Sequence, residues 1–189
     1  LLKKTAKNSD YVVEPFSSDE RAAIIDAARA DERPMIQFWF NAGLRPGEMI
    51  ALRWGKIAFK LATALIDLNV VMRTEKGPKT SAGIRRVDLN EDAISALSAQ
   101  KLISMSRGEH VWLNPSTNTP WETDAQIRKT LWIPLLKRSG VKYRNPYQAR
   151  HSFASAALTA GGCNPWYLAQ QLGHADVEMV FRVYGKFIH

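Results

Sequence analysis

The stretch Tyr147-Gln148-Ala149-Arg150-His151-Ser152-Phe153 places an arginine where an apolar residue would be expected. Taken as a helix running on to Leu158, it sets Arg150 on one face with Phe153, Ala154, Ala157 and Leu158. An unpaired charge on such a stripe is costly, so Arg150 must find an anion or strong acceptors. None is near in sequence, because no acidic residue lies between Asp124 and Asp176. A carboxylate brought in from elsewhere, Glu48 for instance, would serve. So would a bound phosphate.

Upstream of that stretch the pattern is helical. Ser17-Ser18-Asp19-Glu20 has the spacing of a capping box, and Ala22, Ile25, Ala28 and Ala30 continue a helix from it. A second helix covers 34–42 and stops at Gly43. Pro46 opens a third, through about Leu52, since proline is favoured at the first helical position. The middle changes character: 57–59, 64–71 and 84–89 are short and rich in β-branched residues, which predicts a small antiparallel sheet. Its last two strands flank a polar loop, 74–83. Asn90 caps a helix to about Lys101, and further helices are expected near 123–139, 148–160, 165–172 and 176–184. The expected fold class is mainly α with a small antiparallel β-sheet (α+β). Residues 1–16 read as a linker or tail from a preceding domain, and 17–189 as one further domain.

Composition narrows the class. The 189 residues are 46% hydrophobic and 23% charged, enough to bury a core and unlike a disordered chain. No run reaches the ~18 apolar residues of a membrane span. One cysteine, Cys163, excludes an intrachain disulfide, and no Cys/His cluster suggests a structural zinc. A cytoplasmic protein is expected. The charge is +8, from 26 Lys and Arg against 18 Asp and Glu. The acid-free stretch holds Arg128, Lys129, Lys137, Arg138, Lys142, Arg144 and Arg150, which suits a polyanionic partner.

Two other groups carry polar chemistry. In Asn41-Ala42-Gly43-Leu44-Arg45-Pro46-Gly47-Glu48, Pro46 disfavours helix at Arg45 and leaves its side chain at a helix entrance. Glu48 lies one turn in, able to reach back to an unsatisfied amide. An arginine there could grip a phosphate, but the segment alone favours simple capping plus a surface arginine. Gln171-Leu172-Gly173-His174 ends one helix and turns into the next, whose stripe Val177, Val180, Phe181, Tyr184 ends in a tyrosine. Periodicity makes Tyr184 a core aromatic; a hydroxyl on an apolar body also suits a positioned nucleophile.

In order, these segments resemble the catalytic domain of the tyrosine recombinase (phage integrase) family. The resemblance rests on Ala42-Gly43-Leu44-Arg45 with Glu48, Lys79-Thr80 before Arg85-Arg86-Val87, Arg150-His151-Ser152-Phe153, Leu172-Gly173-His174, and Tyr184. It implies the family's mainly helical fold. It also implies that Arg45 and Arg150 clamp a scissile phosphate, that Lys79 (or, less well placed, Lys76) protonates the leaving 5′ oxygen, and that His174 assists. Tyr184 would be the nucleophile, and Glu48 would support the first arginine. The family usually has histidine three residues before the second arginine; here Tyr147 stands there, a poor general base at neutral pH. No cofactor or metal is implied. The implied function is cutting and rejoining double-stranded DNA through a covalent 3′-phosphotyrosyl intermediate, with self-association to a tetramer on DNA, in the bacterial cytoplasm or nucleoid. Type IB-like topoisomerase activity and a catalytically silent DNA-binding module are the alternatives.

Overall fold

The computed structural model describes residues 12–77 and 81–187. Ser17 caps the first helix, α1 (Ser18–Ala27), and its capping box with Glu20 is complete in both directions. α2 (Arg33–Ala42) ends on Gly43, whose φ of 64° is left-handed. α3 (Pro46–Ala51) starts on proline, and the Glu48 side chain closes back on the Arg45 amide.

The β region differs from expectation. β1 (Ile57–Ala58), β2 (Thr63–Ile66) and β5 (Arg85–Asp88) form an antiparallel sheet in the order β1-β2-β5. The strand expected over 64–71 breaks after Ile66, where Asp67 forms an ion pair with Lys56 at 2.6 Å. Beyond the break, β3 (Asn69–Val71) pairs with β4 (Thr74–Lys76) in a separate hairpin. Part of the expected polar loop is therefore a strand. Its two turn residues, Met72 and Arg73, both have positive φ. That is the backbone of a tight hairpin turn, normally announced by Asn-Gly or Asp-Gly and so silent in this sequence.

α4 (Glu91–Ser104) follows its Asn90 cap. The helix expected over 123–139 is α5 (Asp124–Ile127) and α6 (Ile133–Ser139) joined by a π-helical stretch at Arg128–Trp132. Pro134 has no amide to return to Thr130, so the ordinary hydrogen-bond ladder cannot run through this point. α7 (Gln148–Thr159), α8 (Pro165–Leu172) and α9 (Glu178–Tyr184) complete the order.

Two apolar clusters hold these elements. The larger joins α1 to α6 around Trp39, Trp112 and Trp132, with Phe38 and Phe40 beside them. The smaller joins α7, α8 and α9 through Ala154, Leu158, Leu168, Leu172, Val180 and Tyr184. Of the stretch read as a linker, 1–11 lie outside the described residues, while 12–16 run along α7. The Glu14 amide donates to Gln148 Oε1, Gln148 Nε2 donates to the Val12 carbonyl, and the Phe16 amide donates to Ser152 Oγ. Phe16 is buried in the larger cluster, edge-on to Phe40 and Trp132 at 5.9 Å each. No described helix is long and apolar enough to cross a membrane.

Candidate active site

Helix ends from distant parts of the chain converge here. Arg45 arrives at the entrance of α3, Arg85 from β5, Arg150 from the first turn of α7, and His174 from the turn after α8. Glu48 lies at their centre, 4% exposed. Its carboxylate accepts from Arg85 Nη1 and Nη2 at 3.0 Å each, from Arg45 Nη1 at 2.8 Å and from the Arg45 amide at 2.9 Å. Burial alone would raise this carboxyl, but the Arg85 hydrogen bonds and the charges of Arg85, Arg150 and Arg45 hold it at about 2. Three guanidinium groups against one carboxylate leave the cluster cationic.

Arg150 is fully buried. Glu48 is not its hydrogen-bond partner. Nη1 donates to the Gly43 carbonyl at 2.9 Å and Nη2 to the Leu172 carbonyl at 2.5 Å, so two helix C-termini supply the acceptors. Burial, then the Arg45 charge, pulls this guanidinium down to about 10, still protonated at neutral pH. Arg45 is a third exposed and reaches the Gly173 carbonyl at 3.4 Å. Burial pulls its guanidinium down, but Glu48 and then the Tyr147 phenol more than offset it, and the net direction is up. Gly173 has φ 67°, and a Cβ there would meet Arg85 Nη1 at 2.8 Å, so glycine serves both the turn and the passage of Arg85.

His174 lies with Nε2 3.2 Å from Arg150 Nη2. A guanidinium can only donate, so Nε2 accepts and the ring proton sits on Nδ1. Burial and the charges of Arg150, Arg45 and Arg85 hold His174 at about 3, hence neutral. Nδ1 is buried with no hydrogen-bond partner among the described residues.

Tyr184 is 1% exposed, and its hydroxyl lies 2.7 Å from His151 Nδ1. The periodic stripe is only partly apolar core: Val180 and Tyr184 are buried, whereas Phe181 is exposed and edge-on to Trp166 at 6.2 Å. The Tyr147 ring stands 5.1 Å from that of His151, one helical turn away, and its phenol is a hydrogen-bonding neighbour of Arg45. Tyr147 therefore links the arginine cluster to the His151–Tyr184 pair. A cleft of about 660 Å³ opens beside them, lined in part by Pro46, Arg128, Pro146, Tyr147, His151 and Val183.

Among the expected site residues, Arg45, Glu48, Tyr147, Arg150, His174 and Tyr184 are thus in one neighbourhood. Lys79 lies outside the described residues; Lys76 is exposed on β4. Arg85 and His151 lie within motifs quoted from the sequence, which assigns them no role. The alternation of β5, buried at Arg85 and Val87 and exposed at Arg86 and Asp88, was the available signal for Arg85. For His151 it was the four-residue step from Tyr147 along one helix face. The acid-free run is less basic than its composition suggests, because acids from α1, its approach and the start of α2 neutralise part of it. Arg138 pairs with Glu32, Lys142 with Glu14 at 3.3 Å, and Arg144 with Glu14 at 3.2 Å and Glu20 at 2.9 Å. Arg128, Lys129 and Lys137 have no ion pair among the described residues.

The fold is that of solved recombinase and integrase structures. The structure of XerA recombinase superimposes with a TM-score of 0.73 at 23% identity, covering 96% of this chain and 61% of that one. The Tn1549 transposon integrase in complex with circular intermediate DNA does so at 0.78 and 18% identity, covering 92% and 63%. The chain belongs to the phage integrase family, whose model matches residues 15–187. The prophage integrase IntR of Escherichia coli (strain K12) is 31% identical over 93% of this chain and 48% of its own length. IntQ of the same strain, described as a defective protein, is 34% identical over 96% of this chain and 52% of its own. The chain thus spans about half the length of these curated relatives.

Proposed function

We propose that this chain is the catalytic part of a site-specific DNA recombinase, cutting and resealing duplex DNA through a bond between Tyr184 and a 3′ phosphate. The observation that carries this reading is the cationic cluster of Arg45 and Arg85 on the Glu48 carboxylate with buried Arg150 beside them, next to a tyrosine hydroxyl that is itself hydrogen-bonded. A pentacoordinate phosphoryl centre gathers negative charge on its equatorial oxygens, and preorganised guanidinium groups stabilise that charge. Arg45, partly exposed, is the group able to meet the phosphate directly. Arg150, with both terminal nitrogens on carbonyls, contributes as a fixed charge behind it and through His174.

In the reaction the Tyr184 oxygen attacks phosphorus as the bond to O5′ breaks. The leaving oxygen takes a proton from a cation that follows β4 in sequence, for which Lys79 is the candidate. The covalent ester conserves the bond energy, so a 5′ hydroxyl can reverse the step. The relatives' names, integrase and recombinase, favour exchange between duplexes over simple relaxation. Assembly as a tetramer on two duplexes, and residence in the bacterial cytoplasm or nucleoid where DNA is found, belong to this reading. A silent DNA-binding module is the second reading, favoured by similarity to a protein described as defective.

Covalent capture separates the two. A randomised duplex library, nicked so that cleavage releases a short fragment and cannot reverse, is incubated with the 189-residue chain and resolved on denaturing gels. A DNA adduct on the parent that is missing with Tyr184→Phe supports the recombinase. Retention of DNA without any adduct supports the silent module.

A further inference from the structure

The arrangement around Tyr184 leaves one chemical task unassigned: the phenol must lose its proton as its oxygen attacks. Tyr147, at the position where the family resemblance leads one to look for a histidine, is itself a phenol. With an ordinary pKa near ~10 it donates well and accepts a proton poorly. His174 is turned toward Arg150, its Nε2 taken by that guanidinium. His151 is the imidazole in contact with the reacting oxygen, at 2.7 Å.

We infer that His151 Nδ1 accepts the Tyr184 proton during DNA cleavage and returns it on resealing, an inference that rests on the recombinase reading above. The step balances. The Oη–P bond forms as the Oη–H bond breaks, the proton moves to Nδ1, and the P–O5′ electron pair leaves with O5′, which is protonated by the leaving-group acid. Resealing runs the same transfers backward.

The surroundings support this role. His151 is 5% exposed, so bulk water does not compete for Nδ1. Burial and the neighbouring Arg150 charge hold the imidazole at about 4 in the DNA-free protein, which leaves it neutral at physiological pH but a weak base there. The titratable groups facing it are Tyr184 from α9, and Tyr147 and Arg150 from its own helix; Asp124 and Arg128 share the cleft it lines. A phosphodiester bound against Arg45 brings a negative charge that offsets the arginine field. The imidazole thus becomes more basic when the nucleophile must ionise.

The test uses the captured duplex in single-turnover cleavage. Parent, His151→Asn and His151→Gln are compared between pH 6 and pH 9, with natural or ring-fluorinated tyrosine at 184. Circular dichroism and DNA retention check that each chain folds. General-base catalysis typically contributes about 10²–10⁴-fold, so both variants should cleave at least about a hundredfold more slowly at pH 7. Their rates should climb with pH toward the phenol's own ionisation while the parent stays flat, and the more acidic fluorinated phenol should restore much of the loss. Variants that cleave within about threefold of a parent that does form the adduct overturn the inference and leave the recombinase reading standing. So do slow variants that respond to neither pH nor fluorination, or variants that fail to fold when the fluorinated parent shows no change in its own pH profile. A parent that forms no adduct removes both.

Discussion

Replacing Glu48 with glutamine should cost the fold about as much as any single polar change in this chain. The carboxylate is 4% exposed and accepts four hydrogen bonds, three of them from guanidinium nitrogens. Glutamine keeps one acceptor oxygen but turns an NH₂ toward Arg85 and removes the charge that compensates three buried or half-buried cations. The native carboxyl sits at about 2 against an ordinary 4.5. At about 1.4 kcal/mol per tenfold in proton affinity, that corresponds to about 3 kcal/mol of stability. It agrees with the ~3–5 kcal/mol typical of breaking a buried ion pair from one side. Because the folded carboxyl is depressed, this stability is fully present above pH 4.5 and is lost as the pH falls toward 2. Urea unfolding of parent and Glu48→Gln at pH 7 should therefore differ by about 3 kcal/mol, and in a chain of this size Tm should fall by about 6–12 °C. At pH 3 the two should lie closer together. A difference below about 1 kcal/mol at pH 7, or one that does not narrow in acid, would refute the ion-pair account of this site.

Three further outcomes are expected. Tyr184→Phe should abolish covalent attachment to DNA on denaturing gels while leaving far-ultraviolet circular dichroism unchanged, since the ring keeps its place beside Val180 and Leu172 while the bond to His151 is lost. Tyr147→Phe loses one hydrogen bond to the charged Arg45, worth about 1.5–3 kcal/mol, so single-turnover cleavage should slow about ten- to a hundredfold; an unchanged rate means the phenol only packs. Gly47→Ala would bring a Cβ to 2.1 Å from Asn69 Oδ1 and 2.4 Å from the Val70 carbonyl, forcing β3 away from α3, and should lower stability by about 1–3 kcal/mol in urea titration.

Much of this structure was legible from local chemistry. Ser17 with Glu20, Gly43, Pro46, Asn90 and Gly173 mark helix ends through interactions a few residues long, and the helices begin or end beside them. The β3–β4 hairpin was not legible, because Met72 and Arg73 adopt a turn that their side chains do not favour and that tertiary packing imposes. The site follows the same division. Arg150 declared itself as a charge on an apolar face, but nothing near it in sequence says that its acceptors are the carbonyls of Gly43 and Leu172. Arg85 and His151 act through partners 37 and 33 residues away, a distance at which periodicity carries no information. The acid-free run overstated the local charge for a related reason: net charge along a sequence says nothing of the glutamates that folding brings beside it.

The stitching of residues 12–16 along α7 has a mechanical consequence. Gln148 grips the approaching chain with both ends of its amide, holding Val12 and Glu14, and Ser152 holds Phe16 while donating to the Gln148 carbonyl one turn back. Arg150 and His151 sit between those two residues on the same helix. A pull or twist applied to the chain ahead of Val12 is therefore delivered to the turn that carries the buried guanidinium and the partner of the tyrosine hydroxyl. The strap is a lever arm whose load point is the candidate site.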